Sequence, residues 1–181
     1  MLNETQRLLL LKLARTSIES TLAGLAHSPA EHEFDDVLRR PAGAFVTLRT
    51  KQGDLRGCIG SIHAVQPLYR AVITSALSAA FRDPRFMPVR YEEMQVLELE
   101  ISVMGPIEEV RDVEEITVGR DGLIISRGRS AGLLLPQVAT EYGWDRDTFL
   151  DQTCVKAGLP PGTWRSQQAR IEKFAAEVFG E

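Results

Sequence analysis

Apolar residues recur along this chain with two periods, and the places where one gives way to the other divide it into elements. Leu2, Leu9, Leu13, Ile18, Leu22 and Leu25 keep to one side of a helical wheel, while Glu4, Arg7, Lys12, Arg15 and Glu19 cover much of the rest. This pattern predicts a helix over about residues 3–26, with Asn3 as its N-cap. Pro29 and Pro41 then punctuate a stretch holding Glu31, Glu33, Asp35 and Asp36, which reads as an acidic loop. At Gly43 the period changes to two. Ala44, Val46 and Leu48 alternate with Phe45, Thr47 and Arg49, residues 51–54 form a turn, and a second strand follows over 55–62, so the two make a β-hairpin. Pro67 suits the first turn of a helix reaching about Phe81. Its Ala71, Ser75, Ala76, Ser78, Ala79 and Ala80 make it slim enough to lie close to a glycine-bearing strand. Asp83, preceding Pro84, is biased away from helical geometry and ends it.

The second half repeats the alternation. Leu97, Leu99, Ile101 and Val103 against Glu98, Glu100 and Ser102 mark the clearest strand, over 96–104, which Gly105-Pro106 is expected to close. The two glutamates keep a half-exposed face soluble. Residues 112–115 suit a short surface helix. A strand over 123–127, a turn over 128–132 and a return over 133–135 suggest another hairpin, and Pro136 opens a helix through about Tyr142. Asp145 is a good N-cap for a helix carrying Phe149, Leu150, Cys154 and Ala157, with Gly158 as its C-terminal cap and Cys154 on the core stripe. Residues 165–179 fit helix and strand equally. No internal repeat is present, and one domain over 1–181, with a larger and a smaller lobe whose boundary the sequence does not assign, is expected.

Composition narrows the class. A chain of 181 residues with 44% hydrophobic and 25% charged residues is globular. Its leucine runs are too short to span a bilayer and the N-terminus lacks a signal-peptide order, so a cytoplasmic protein without a membrane partner is expected. Cys58 and Cys154 make neither a disulfide framework nor a metal knuckle. His27 and His32 lie among carboxylates but match no metal-ligand spacing, so no metal site is assigned. A net charge of −4 argues against nucleic acid as a partner.

The chemistry concentrates in Leu55-Arg56-Gly57-Cys58-Ile59-Gly60-Ser61-Ile62. On a strand, Arg56 and Cys58 share one face while Leu55, Gly57 and Ile59 take the other. A cation beside a thiol favours the nucleophilic thiolate, which makes Cys58 a candidate nucleophile or thiol carrier. Gly57 and Gly60 mark a close approach of backbone or ligand, and with Ser61 they form the wall of a candidate site. The competing reading is an ordinary strand whose cysteine is a small apolar residue. His63 is the sole histidine near enough in sequence to act as a base. Its separation of five residues puts it on the opposite face unless the strand bulges at Gly60. In the Asp83-Pro84-Arg85-Phe86 loop, Asp83 and Arg85 are candidate ligand contacts. Arg82, Arg85 and Arg90, interleaved with Phe86 and Tyr91, suit either an anion-binding rim or a solvated turn with Phe86 in the core.

Leu55-Arg56-Gly57-Cys58-Ile59-Gly60, Asp83-Pro84-Arg85-Phe86, Leu135-Pro136-Gln137-Val138 and Lys156-Ala157-Gly158-Leu159 occur together and in this order. So arranged they resemble the AMMECR-one family, whose bacterial and archaeal members are called AmmeMemoRadiSam system protein A, over about residues 43–181. His63 lies outside the family pattern. The resemblance implies an α+β fold of two unequal lobes, with a mainly antiparallel sheet flanked by helices and a cleft lined by the Leu55–Ile62 strand. It also implies two partners, a Memo-like protein related to non-heme dioxygenases and a radical S-adenosylmethionine enzyme. It names no reaction and no cofactor. Two functions stand level: Cys58 chemistry on an anionic small molecule held by Arg56 and Arg85, or a non-catalytic docking or assembly component whose groove receives a partner's carboxylate or peptide terminus. A nucleic-acid-associated regulatory role is the third.

Overall fold

Asn3 starts the first helix. Its side chain accepts from the Gln6 N–H at 2.9 Å while the Gln6 side chain accepts from the Asn3 N–H at 2.8 Å, so two donors with no helical partner are satisfied reciprocally. The computed structural model describes residues 1–181. Helix α1 is Glu4–Leu22, and its buried stripe runs through Leu10, Leu13, Ala14 and Ile18. It ends before the predicted Ala26 because Gly24 turns the chain at φ 73°, which leaves Leu25 exposed; Leu9 also lies outside the stripe. A short helix α2, Asp36–Arg39, capped by Asp35, precedes the sheet.

The strands are β1 Ala44–Thr50 and β2 Leu55–Ser61, then, after helix α3 Leu68–Phe81, β3 Leu97–Glu109, β4 Asp121–Arg127, β5 Ser130–Leu134 and β6 Arg170–Gly180. Helices α4 Pro136–Glu141 and α5 Arg146–Lys156 lie between β5 and β6. The six strands form one sheet in the order β2-β1-β3-β6-β4-β5, and the pairs β1–β2, β1–β3, β4–β5 and β4–β6 are antiparallel. The fold is therefore α+β with an antiparallel sheet. The chain divides into two compact units, residues 1–104 with 177–181, and residues 105–176. No helix is long and apolar enough to cross a membrane.

In the first unit the apolar faces of β1 and β3, with Val46, Leu48, Leu99 and Ile101 fully buried, share one core with Ala71, Val72, Ala76 and Ala79 of α3 and the leucine stripe of α1. Each large aliphatic side chain so buried contributes about 1.5–3 kcal/mol. The small residues of α3 let it approach β2 closely: a Cβ on Gly57 would lie 2.3 Å from the Ala79 carbonyl oxygen, so only glycine fits there. In the second unit Phe149, Leu150 and Cys154 of α5 pack with Leu123 and Ile125 of β4, which places Cys154 in the core as its stripe indicates.

Several boundaries differ from the sequence pattern for identifiable reasons. Gly105-Pro106 does not close β3, which runs on to Glu109. The Met104 N–H donates to Gly43, so by strand alternation position 106 faces the same side, where β1 has already ended and the missing proline N–H forfeits no ladder bond. The turn between β4 and β5 is only Gly128-Arg129, not 128–132, because Arg127 pairs directly with Ser130 and Gly128 supplies the positive φ of 62° at the first loop position. β4 begins at Asp121, two residues before the expected start, with the Phe174 ring lying where a Gly122 Cβ would project. Residues 170–180 are strand. Their pairing with β4, from Ser126↔Arg170 to Asp121↔Ala175, settles an ambiguity that local preference leaves open.

Candidate functional site on the edge strand

β2 is an edge strand, and its middle is Cys58. Cys58 lies opposite Thr47. Both backbone groups of Cys58 point away from β1: its N–H donates to Asp83 Oδ2 at 2.9 Å and its carbonyl accepts from Arg85 Nη2 at 3.3 Å. The Thr47–Cys58 pair is therefore of the kind that exchanges no backbone hydrogen bonds and brings its side chains closest. Accordingly the Thr47 hydroxyl donates to the half-buried Cys58 sulfur at 3.2 Å. Nothing in the local pattern marks Thr47, which alternates with the apolar positions of its strand. Pairing Thr50 with Leu55 across the turn at 51–54 would have put it opposite Cys58, and an irregularity at Leu48/Arg49 keeps that register.

The Asp83-Pro84-Arg85-Phe86 loop is a clasp on this edge. Asp83 is buried, and besides the Cys58 N–H it accepts from the Arg85 N–H at 3.1 Å and from Arg85 Nε and Nη2 at 2.9 and 2.7 Å. The Arg85 guanidinium, reinforced by the Cys58 and Arg85 N–H donors, holds the Asp83 carboxyl far below the usual carboxylate range even though burial pushes the other way. The clasp occupies the edge as a neighbouring strand would, which is one way proteins prevent edge-to-edge pairing.

Arg56 is likewise engaged. Its Nε and Nη2 donate to Glu93 at 2.8 and 3.2 Å, and the Arg90 N–H donates to Glu93 at 2.8 Å, so Glu93 is held below its ordinary pKa, Arg56 being the main cause. The Arg56 and Arg85 guanidinium carbons lie 5.9 and 5.4 Å from the centre of the Phe86 ring. Phe86 thus sits half-buried between the two arginines. Glu93 has no signal in spacing or period; only the chain's return brings it to Arg56. Arg56 Nη1 is buried without a hydrogen-bond partner. A cavity of about 590 Å³ beside this pair is lined by Arg56, Met87, Pro88, Arg90, Glu92 and Glu93, two arginines and two glutamates among them.

Gly60, Ser61 and His63 do come together, but away from the Cys58 thiol. They line a separate cavity of about 240 Å³ along the α3 side of β2, with Gln66, Thr74 and Ser78, and Cys58 is not among its lining residues. The His63 N–H donates to Ser61 Oγ at 3.1 Å and the imidazole is exposed; no hydrogen bond joins it to Cys58. Gly60 does not bulge, since β1 and β2 stay in register from Ala44↔Ser61 to Leu48↔Gly57. His63 therefore does not reach the face that carries the thiol. Gly57, turned towards Ala79, faces helix rather than ligand. His27 shares a hydrogen bond with the Ser17 hydroxyl at 3.1 Å.

An antiparallel α+β sheet whose glycine-rich, cysteine-bearing edge strand is clasped by an Asp-Pro-Arg-Phe loop defines a distinct class of protein. The chain belongs to the AMMECR1 family, whose profile matches residues 11–179. It is 48% identical over 179 residues to a protein of Methanothermobacter thermautotrophicus, covering 95% of this chain and 92% of that one. It is 44% identical over 181 residues to a Pyrococcus furiosus protein, covering 95% and 86%. The crystal structure of an uncharacterized protein from Pyrococcus horikoshii superimposes with a TM-score of 0.88 at 44% identity, covering 96% of this chain and 90% of that one.

Proposed function

We propose that the protein is the ligand-receiving, non-catalytic component of a cytoplasmic system containing a Memo-like protein and a radical S-adenosylmethionine enzyme, and that the surface it offers is the β2 edge around Cys58. Family membership and the order of its motifs support the partners. One observation carries the choice of a docking component over an enzyme acting on an anion: both signature arginines are already neutralised within the chain, Arg56 by Glu93 and Arg85 by Asp83. Guanidiniums so placed hold a strand's shape rather than wait for a free anion. What remains available on β2 beyond the clasp is the backbone edge at Gly60, since the Cys58 N–H and carbonyl are already taken by Asp83 and Arg85.

The enzyme reading keeps one supporting contact, the Thr47 hydroxyl on the Cys58 sulfur. A hydroxyl donor stabilises negative charge on sulfur, the form that attacks electrophiles. Co-expression of the full chain with the two partners separates the readings. A complex that survives gel filtration at micromolar concentration, with Cys58→Ser still bound, supports the docking component. No complex, together with rapid alkylation of Cys58 in a Cys154→Ser background, overturns it in favour of thiol chemistry.

A further inference from the structure

The alternation that turns the Cys58 backbone groups outward also governs Gly60, two residues on in the same unbroken register. The Gly60 N–H and carbonyl point away from β1, at the outer edge of the sheet, where no strand follows and no backbone group bonds them. Gly60 is also one of the residues lining the 240 Å³ cavity. Its polar lining residues are Ser61, His63, Gln66, Thr74, Ser75 and Ser78. It has no aspartate, glutamate, lysine or arginine.

We propose that this cavity receives an extended, uncharged polypeptide segment of a partner, which lays one residue against Gly60 and exchanges two backbone hydrogen bonds with it. The proposal rests on the docking reading above and names what the edge accepts. Three features select this occupant. First, an outward N–H and C=O on one strand residue is the donor and acceptor pair that β-strand addition uses. Second, the cavity is smaller than the roughly 300–1,000 Å³ of sites that enclose a small molecule or cofactor, and suits a residue or two of a chain that enters and leaves. Third, an uncharged lining offers no counter-ion to a buried charge, so a segment with small polar or apolar side chains is the one that loses least on desolvation. The pairing is limited to a single residue. One step towards the hairpin turn, the Cys58 N–H and carbonyl are already taken by Asp83 and Arg85, and one step the other way β2 has ended at Ser61. The clasp thereby sets register, holding the segment at Gly60 without letting it zip along the whole edge.

The test is an NMR titration of the full-length, isotope-labelled chain with a blocked hexapeptide, acetyl-Ala-Gly-Ser-Ala-Gly-Ala-amide, at up to millimolar concentration. The expected result is a saturable shift of the Gly60 amide together with the Ser61 and His63 resonances. Thr74→Trp, at an exposed helix position on the rim, should weaken it at least tenfold with an unchanged melting temperature; Ser78→Ile serves as a second blocker should the first perturb folding. Absence of a saturable shift at Gly60, or undiminished binding in a folded blocking variant, overturns the inference. The two readings fail separately. A three-protein complex formed equally well by wild type and Thr74→Trp removes the peptide site and leaves the docking component standing; hexapeptide binding at Gly60 without any complex does the reverse.

Discussion

Replacing Asp83 by alanine removes four hydrogen bonds at once, two from backbone N–H groups and two from the Arg85 guanidinium. The Arg85 side chain is 53% exposed, so its ion pair is screened and contributes about 1 kcal/mol at most. The backbone bonds weigh more, because a charged acceptor makes each worth about 1.5–3 kcal/mol, and Cys58 loses its partner on an edge that no strand covers. Taking the lower figure for each gives a destabilisation of about 3 kcal/mol, which for a chain of this size lowers the melting temperature by roughly 6–12 °C. Asp83→Asn keeps an acceptor for the Cys58 N–H and should cost about half as much. The pH dependence has a definite sign. The native carboxyl titrates well below its unfolded counterpart, so its contribution is complete above the ordinary carboxylate value of about 3.9 and is lost as acid carries the pH down through the lower native value. The gap between wild type and Asp83→Asn should accordingly be constant at neutral pH and narrow below about pH 4. Thermal and urea denaturation measure the gap, and hydrogen exchange at Cys58 reports the clasp directly. A melting temperature within about 2 °C of wild type, with the Cys58 amide still protected, would refute the clasp.

Other perturbations probe neighbouring contacts. Gly57→Ala puts a methyl 2.3 Å from the Ala79 carbonyl oxygen, so α3 must move off β2; a loss of about 1–3 kcal/mol or more is expected in urea unfolding, and a neutral result would show that the helix yields freely. For Arg56 and Glu93, side chains 17% and 32% exposed, a double-mutant cycle with Arg56→Met and Glu93→Gln should give a coupling of about 1 kcal/mol, and additivity would mean the pair is only incidental. Burial raises the Cys154 pKa, and its side chain is inaccessible, so in a Cys58→Ser background no alkylation should occur at pH 8 before unfolding; mass spectrometry of the native protein would detect the contrary.

Along the chain, local pattern carried the elements further than their ends or their company. Alternation alone located the hairpin of β1 and β2 and the strand that follows α3, because a strand with one buried face must alternate. The helical stripe and its Asn3 N-cap located α1, and the Ala and Ser content of α3 foretold its close approach to Gly57, since a slim helix and a residue without Cβ answer the same steric demand. The six-residue signature and the loop motifs pointed to the family. Element ends escaped where a neighbour decides them: Pro106 is tolerated inside β3 only because β1 stops short of it, and residues 170–180 become strand because β4 offers them a ladder. The site escaped for the same reason. The motifs name three cationic or nucleophilic residues, Arg56, Cys58 and Arg85, but an ion's availability depends on what faces it, and Glu93 and Asp83 take up their places beside the arginines only through the fold. The outward edge at Gly60 belongs to the same category. Which side of a strand is left open is a property of the sheet's strand order, and the order β2-β1-β3-β6-β4-β5 is a global outcome of packing that no local stretch of residues encodes.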